Sequence, residues 1–69
     1  MKWKIVGPRR AEGRWPGDFL HSALVYETDG AWIWHYRKKS TVLDSGREVS
    51  AGAAIRAVKR ERMRRFAKN

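Results

Sequence analysis

Residues 23–36 read ALVYETDGAWIWHY, and they predict a β-hairpin. The Asp29-Gly30 pair stands between two runs of aromatic and branched side chains, and such a pair favours a two-residue hairpin turn with positive φ. A loop of two residues places Thr28 opposite Ala31 and so sets the register of the two strands. One side of the hairpin then carries Ala23, Val25, Trp32, Trp34 and Tyr36, and the other carries Leu24, Tyr26, Ile33 and His35. Both sides are apolar enough to require cover.

We expect this hairpin to belong to a small antiparallel sheet. Three meander strands are predicted, at residues 19–27, 31–38 and 41–45. A fourth strand is predicted at residues 3–6, where apolar side chains alternate with a lysine. Residues 9–18 contain two glycines and a proline, and we expect them to form a basic loop with a type II turn at Pro16-Gly17. The chain thus divides into a basic strand and loop at 1–18 and a β-meander at 19–46.

A single helix is predicted at the C-terminus, over residues 50–67. Ser50 is a suitable N-cap, the following segment is rich in alanine, and no proline interrupts it. At 100° per residue one stripe of the helix carries Ala51, Ile55, Val58 and Phe66, with Met63 at its edge. Arg62 falls inside that stripe, so either its guanidinium reaches solvent or the last turns leave the core. The far side of the helix carries Arg56, Arg60, Arg64 and Lys68.

The chain of 69 residues is long enough for one small domain. We expect an α+β fold, with the antiparallel sheet packed on the C-terminal helix. No apolar stretch is long enough to span a membrane, and the first residues lack the apolar run of a secretory signal. A cytoplasmic protein without membrane contact is therefore expected.

The sequence gives little support to catalysis or to metal binding. Cysteine is absent, which excludes a thiolate metal site and a cysteine nucleophile. Both histidines, His21 and His35, lack a carboxylate at ligand spacing, so we expect no metal. Asp18, His21 and Ser22 have the residue types of a hydrolytic triad, but sequence neighbours rarely reach its geometry. The chain is predicted to be neither an enzyme nor a cofactor-binding protein.

Positive charge is concentrated at the two ends of the chain. The net charge is +9, made up of +4 in residues 1–14, −1 in residues 15–54 and +6 in residues 55–69. Like charges at this density repel each other unless an anion relieves them, which favours a polyanionic partner. We expect nucleic acid, with duplex DNA favoured, although a solvated helix face is the simpler alternative.

The candidate phosphate-binding residues form three groups. They are Lys2, Lys4, Arg9, Arg10 and Arg14 near the N-terminus, Arg37, Lys38 and Lys39 at a hairpin tip, and Arg56, Lys59, Arg60, Arg64 and Arg65 on the helix. Because the phosphate groups of DNA are the same whatever its base sequence, such contacts predict low sequence specificity.

Trp15 is the tryptophan least explained by a core, because it lies in the predicted basic loop. It either anchors a partner protein or closes the open side of the sheet. An exposed anchor favours a second function, a small inhibitory or adaptor protein that binds an acidic surface of a host protein such as a polymerase or nuclease. A homodimer formed through the sheet is a third interpretation.

Residues 32–66 contain Trp-x-Trp-x-Tyr-Arg-Lys-Lys, then Val-Leu-Asp-Ser-Gly-Arg, then Ser-Ala-Gly-Ala-Ala-Ile-Arg-Ala. This order resembles the second half of the plant ethylene-response-factor type of DNA-binding domain, and the arm domains of some tyrosine integrases are similar. The resemblance implies a three-stranded meander on an alanine-rich helix, with the sheet reading the major groove. The predicted sheet departs from the family because it has few cations apart from Arg37, Lys38, Lys39 and Arg47. In size and plan the chain also resembles small accessory proteins of bacteriophages, which suggests a phage or bacterial regulator.

Overall fold

The computed structural model describes residues 1–67 and contains an antiparallel sheet and one helix. The five strands are β1 (Lys2–Gly7), β2 (Arg10–Arg14), β3 (His21–Thr28), β4 (Ala31–Lys38) and β5 (Thr41–Glu48). Each strand pairs with the next along the chain, so the sheet is a simple meander with β1 and β5 at its edges. The helix α1 (Ala51–Phe66) follows β5. The α+β class and the C-terminal helix are confirmed.

The β3–β4 hairpin has the register predicted from its turn. Asp29 and Gly30 both take positive φ, at 51° and 78°. Thr28 pairs with Ala31, and the other pairs follow in step along both strands. Four of the five side chains predicted to share one side, those of Ala23, Val25, Trp34 and Tyr36, are buried in the core, and Trp32 packs at its margin. The predicted register is therefore confirmed.

The prediction of a loop over residues 9–18 is wrong for its first half. Arg10–Arg14 forms β2, which pairs with β1 on one side and with β3 on the other. Its sequence, RAEGR, alternates charged residues with Ala11 and Gly13, which are small and favour strands only weakly, so its strand conformation comes from backbone pairing with two neighbours. The sheet consequently has five strands rather than three or four.

Several predicted boundaries also shift. The first meander strand begins at His21 rather than at residue 19, because the Asp18 carboxylate accepts hydrogen bonds from the backbone N–H groups of Leu20 and His21 and holds them in a turn. Strand β5 continues through Gly46 and ends at Glu48 instead of at residue 45. The helix begins as predicted, with the Ser50 hydroxyl accepting from the N–H of Ala53, and ends at Phe66. Lys68, predicted on its far side, lies outside the described residues.

The helix packs on one face of the sheet, against β3, β4 and β5. Ala54, Ala57 and Val58 of α1 are buried against the sheet residues of the core. Phe66 is exposed, so the apolar stripe of the helix leaves the core in its last turn. Within residues 1–67 no element packs on the other face of the sheet. No helix in this part of the chain has the length and apolar character needed to cross a membrane.

Because Gly46 has no side chain, the indole of Trp34, the largest side chain of the core, packs directly against β5. Gly46 pairs with Trp34, and a Cβ added at Gly46 would lie only 2.6 Å from Trp34 Cε2 in the indole ring. Because the indole is buried and cannot swing away, strand β5 tolerates no side chain at this point.

We expect Gly46→Ala to lower the free energy of unfolding by about 1–3 kcal/mol, through overpacking against Trp34. Gly52→Ala is the matched control, because a Cβ there meets only the tip of Arg56 at 3.5 Å. This control should be stabilising by about 0.5 kcal/mol, since alanine favours helix. Urea unfolding followed by tryptophan fluorescence measures both changes. A neutral Gly46→Ala would show that Trp34 does not pack on β5 as described.

Candidate nucleic-acid interface

The face of the sheet that points away from α1 is strongly basic. We call it the uncovered face, and strand alternation within the observed register assigns its charged residues. Among the described residues it carries six cations and one acid, a net charge of +5: Lys2, Lys4, Arg10, Arg14, Arg37 and Arg47, with Glu12. Four of these cations, Lys2, Lys4, Arg10 and Arg47, are exposed and form no ion pair within residues 1–67.

An apolar and aromatic stripe runs along the centre of the uncovered face. It consists of Leu24, Tyr26, Ile33 and His35 on β3 and β4. Lysines and arginines of β1 and β2 flank it on one side, and Arg47 of β5 flanks it on the other. At a strand spacing of about 4.8 Å, the two edges of the sheet lie about 19 Å apart. The face therefore offers a broad basic margin on β1 and β2 and a single arginine, Arg47, on β5, with a less polar surface between them.

Glu12 orients two of the arginines on this face. Arg37 donates from Nη2 to Glu12 Oε2 at 2.8 Å and from Nε to Ser22 Oγ at 3.2 Å. Arg14 Nη2 reaches the same carboxylate oxygen at 3.5 Å. Arg37 is consequently held across β3, with its guanidinium fixed in the plane of the surface rather than free in solvent.

Tyr26 and His35 meet at the middle of the stripe. Their rings pack edge to face with centroids 5.5 Å apart, and Tyr26 Oη lies 3.4 Å from His35 Nε2. The guanidinium of Arg10 lies 5.2 Å from the centre of the Tyr26 ring. Burial lowers the pKa of His35 below its usual 6.5, and the positive charges of Arg37 and Arg10 lower it further. The imidazole is therefore neutral at pH 7.

The predicted helix group forms a second basic surface, because α1 packs on the opposite face of the sheet. Arg56, Lys59 and Arg60 are exposed there and have no ion-pair partner in the described chain. Arg64 and Arg65 instead bind Glu61, at 2.6 Å and 2.5 Å. The hydrogen bond from Arg64 is the main cause of a lowered pKa for Glu61, in spite of burial, so this carboxylate stays ionised.

The remaining predicted cations lie at turns. Arg9 forms an ion pair with Glu27, so the charge of its guanidinium is partly neutralised. Lys38 ends β4, and Lys39 occupies the β4–β5 turn with a positive φ of 55°. The predicted residues are therefore divided among the uncovered face, the outer side of α1 and the turns.

Trp15 packs at the margin of the core, on the side of the sheet that α1 covers. Its ring meets Tyr36 edge to face at 5.6 Å, and the guanidinium of Arg62 lies 4.6 Å from its ring centre. Arg62 also binds Asp18, which explains how an arginine fits into the apolar stripe of the helix. The aromatic rings with the greatest exposure in this region belong to Phe19 and Phe66.

The expectation that neither histidine has a carboxylate at ligand spacing is wrong for His21. Its Nδ1 lies 2.8 Å from Asp18 Oδ2, because the turn before β3 folds the carboxylate back onto the ring. Ser22, the next residue of the strand, points to the opposite face and accepts from Arg37. Among residues 1–67 no three potential metal ligands come together.

Sequence reasoning missed Tyr26, His35 and Arg47 as parts of the basic surface. The predicted register already placed Tyr26 and His35 on one side of the hairpin, but without β2 that side lacked its basic margin. Comparison of the chain with protein-family models, with curated proteins and with solved structures gave no match.

Asp18 should contribute to stability in a pH-dependent way. Burial alone would raise its pKa, but hydrogen bonds from Arg62, from two backbone N–H groups and from His21 hold it far below the usual 3.8. A carboxyl with a lowered pKa in the folded state stabilises the fold above its unfolded pKa and loses that contribution as the pH falls.

We expect Asp18→Asn to lower the free energy of unfolding at pH 7 by about 1.5–3 kcal/mol, the range for hydrogen bonds to charged groups. The difference from wild type should shrink as the pH falls below 3.8, where the unfolded carboxyl becomes protonated. Asp29→Asn, at an exposed turn, is the control and should change little. Urea unfolding at neutral and acidic pH tests this, and a difference that does not depend on pH would contradict it.

Proposed function

We propose that this chain is a non-enzymatic nucleic-acid-binding protein that binds duplex DNA through the uncovered face of its sheet. The observation that carries the proposal is the net charge of +5 on one continuous face, with its cations on both sides of the Tyr26–His35 stripe. Phosphate contacts dominate this interface, so sequence specificity is low.

Charge and shape both support a polyanion as the partner. Lys2, Lys4, Arg10 and Arg47 are exposed cations without a protein partner in residues 1–67, and paired charges would contribute less to binding. The major groove of DNA is about 12 Å wide, narrower than the spacing of about 19 Å between the sheet edges. The cations of β1 and β2 then meet one phosphate backbone and Arg47 meets the other, while the central stripe faces the groove.

The helix surface is a weaker candidate for the same role. Two of its predicted arginines, Arg64 and Arg65, already share the Glu61 carboxylate. It also lies on the opposite side of the sheet, so a rigid molecule cannot apply both surfaces to one straight duplex. Binding through five phosphates predicts a slope of about −4.5 for log K against log salt.

A charge-matched pair of double variants locates the interface. We expect Arg10→Gln with Arg47→Gln to make the salt slope shallower by about two units, because each lost phosphate contact removes about one. Arg56→Gln with Arg60→Gln removes the same charge from α1 and should leave the slope nearly unchanged. Fluorescence anisotropy with a labelled duplex at several salt concentrations measures both. If the double variant of α1 changes the salt slope more than Arg10→Gln with Arg47→Gln does, the interface lies on the helix. An affinity that does not depend on salt would refute nucleic-acid binding.

His35 predicts a pH dependence of binding. Burial and the charges of Arg37 and Arg10 lower its pKa in the free protein, and bound phosphates would offset those charges and raise the pKa again. Binding therefore takes up a proton, and DNA affinity should increase as the pH falls below 6.5. In His35→Gln this increase should be lost, whereas His21→Gln, on the other side of the sheet, should keep it. Anisotropy titrations between neutral and mildly acidic pH provide the measurement.

A further inference from the structure

An apolar cleft opens between the β2–β3 loop and the last turn of α1. Its volume is about 530 Å³, and its lining includes Pro16, Phe19, Leu20, His21, Arg62 and Phe66. Phe19 is 91% exposed, Phe66 is 56% exposed and Leu20 is 44% exposed. Apolar side chains gathered at one cleft, rather than scattered singly, are typical of a surface that binds another molecule.

Residues that line the cleft also bind one another. Asp18 accepts hydrogen bonds from the backbone N–H groups of Leu20 and His21 and also binds Arg62. Arg62 in turn lies between the rings of Trp15 and Phe66, 4.6 Å and 4.0 Å from their centres. These contacts fix the loop relative to the helix, so little ordering is required when a partner binds.

The border of the cleft is positive. The backbone N–H of Lys39 donates to Leu20 O at 2.6 Å, which brings the β4–β5 turn, with exposed Lys38 and Lys39, beside the apolar residues. The acid in the lining, Asp18, already forms an ion pair with Arg62 and a hydrogen bond with His21. A second copy of this chain is disfavoured as the occupant, because each copy carries a net charge of +9.

We propose that this cleft binds an acidic segment of a partner protein. An apolar side chain of the segment inserts beside Phe19 and Phe66, and its carboxylates meet Lys38 and Lys39. Aromatic anchors with a charged border are the common pattern of protein-binding surfaces. The cleft lies on the helix side of the sheet, away from the uncovered face, so this proposal does not depend on DNA binding.

The first test uses a synthetic peptide with one leucine among glutamates, titrated into the ¹⁵N-labelled full chain. We expect the amide resonances of Phe19, Leu20 and Phe66 to shift and those of β1 to stay in place. Two matched peptides, one with alanine for leucine and one with lysines for glutamates, should shift them far less. The proposal is overturned if the acidic leucine peptide leaves these amides unchanged, or if either matched peptide binds equally well.

The second test uses variants of exposed residues, which leave the core intact. Phe19→Ser should weaken peptide binding about tenfold or more, as loss of an aromatic anchor does. Val49→Ser is the control, because Val49 is equally exposed at 91% but lies outside the cleft. Both variants should keep wild-type DNA affinity, because neither residue lies on the uncovered face. Failure of the peptide-binding proposal can therefore be distinguished from failure of the DNA-binding proposal. A single-stranded oligonucleotide that displaces the peptide and shifts the same amides would assign the cleft to nucleic acid and overturn the proposal.

Discussion

The pairing of β3 with β4 controls both faces of this molecule. Their register places Ala23, Val25, Trp34 and Tyr36 on the side that α1 covers, where these side chains are buried against the helix. The alternating residues, among them Tyr26 and His35, consequently point to the side that no described element covers. A slip of one residue would exchange the two sets, exposing the tryptophans and burying a histidine beside the helix. The Asp29-Gly30 turn, with both φ values positive, fixes the register that prevents this.

The positively charged residues of the chain do not form one continuous surface. Some cations are used internally: Arg62 binds Asp18, while Arg64 and Arg65 bind Glu61. The Arg62–Asp18 pair joins the last turns of α1 to the β2–β3 loop, and the pairs with Glu61 join successive turns of the helix. Together they stabilise the part of the helix whose apolar stripe has left the core. The lysines and arginines left without partners within residues 1–67 are found mainly on the uncovered face and in the middle of α1. A count of charges along the chain cannot distinguish a cation that holds the fold together from one that is available to a ligand.

The two proposed binding surfaces differ in chemistry and in position. The uncovered face combines dispersed cations with a half-buried aromatic stripe, which suits a long and regular polyanion. The cleft beside Phe19 is small, apolar and bordered by charge, which suits a short segment of protein. Because they lie on opposite sides of the sheet, both can be occupied at once. In that arrangement the chain would connect a nucleic acid to an acidic protein.

The sequence alone determined the local elements whose signals are short in range. The Asp-Gly turn, the aromatic-rich run of β4 and the capping of α1 by Ser50 are all set within a few residues, and each is observed where it was predicted. β2 was missed because its charged residues alternate only with Ala11 and Gly13, which give no large apolar signal, and the segment adopts a strand between two neighbours. The pairing of Arg62 with Asp18, and of Arg37 with Glu12, joins residues far apart in the chain, so only packing decides it. The division of the cations between the two sides of the sheet was likewise decided by the tertiary structure, because the face to which a charge points depends on which strands pair and in which register.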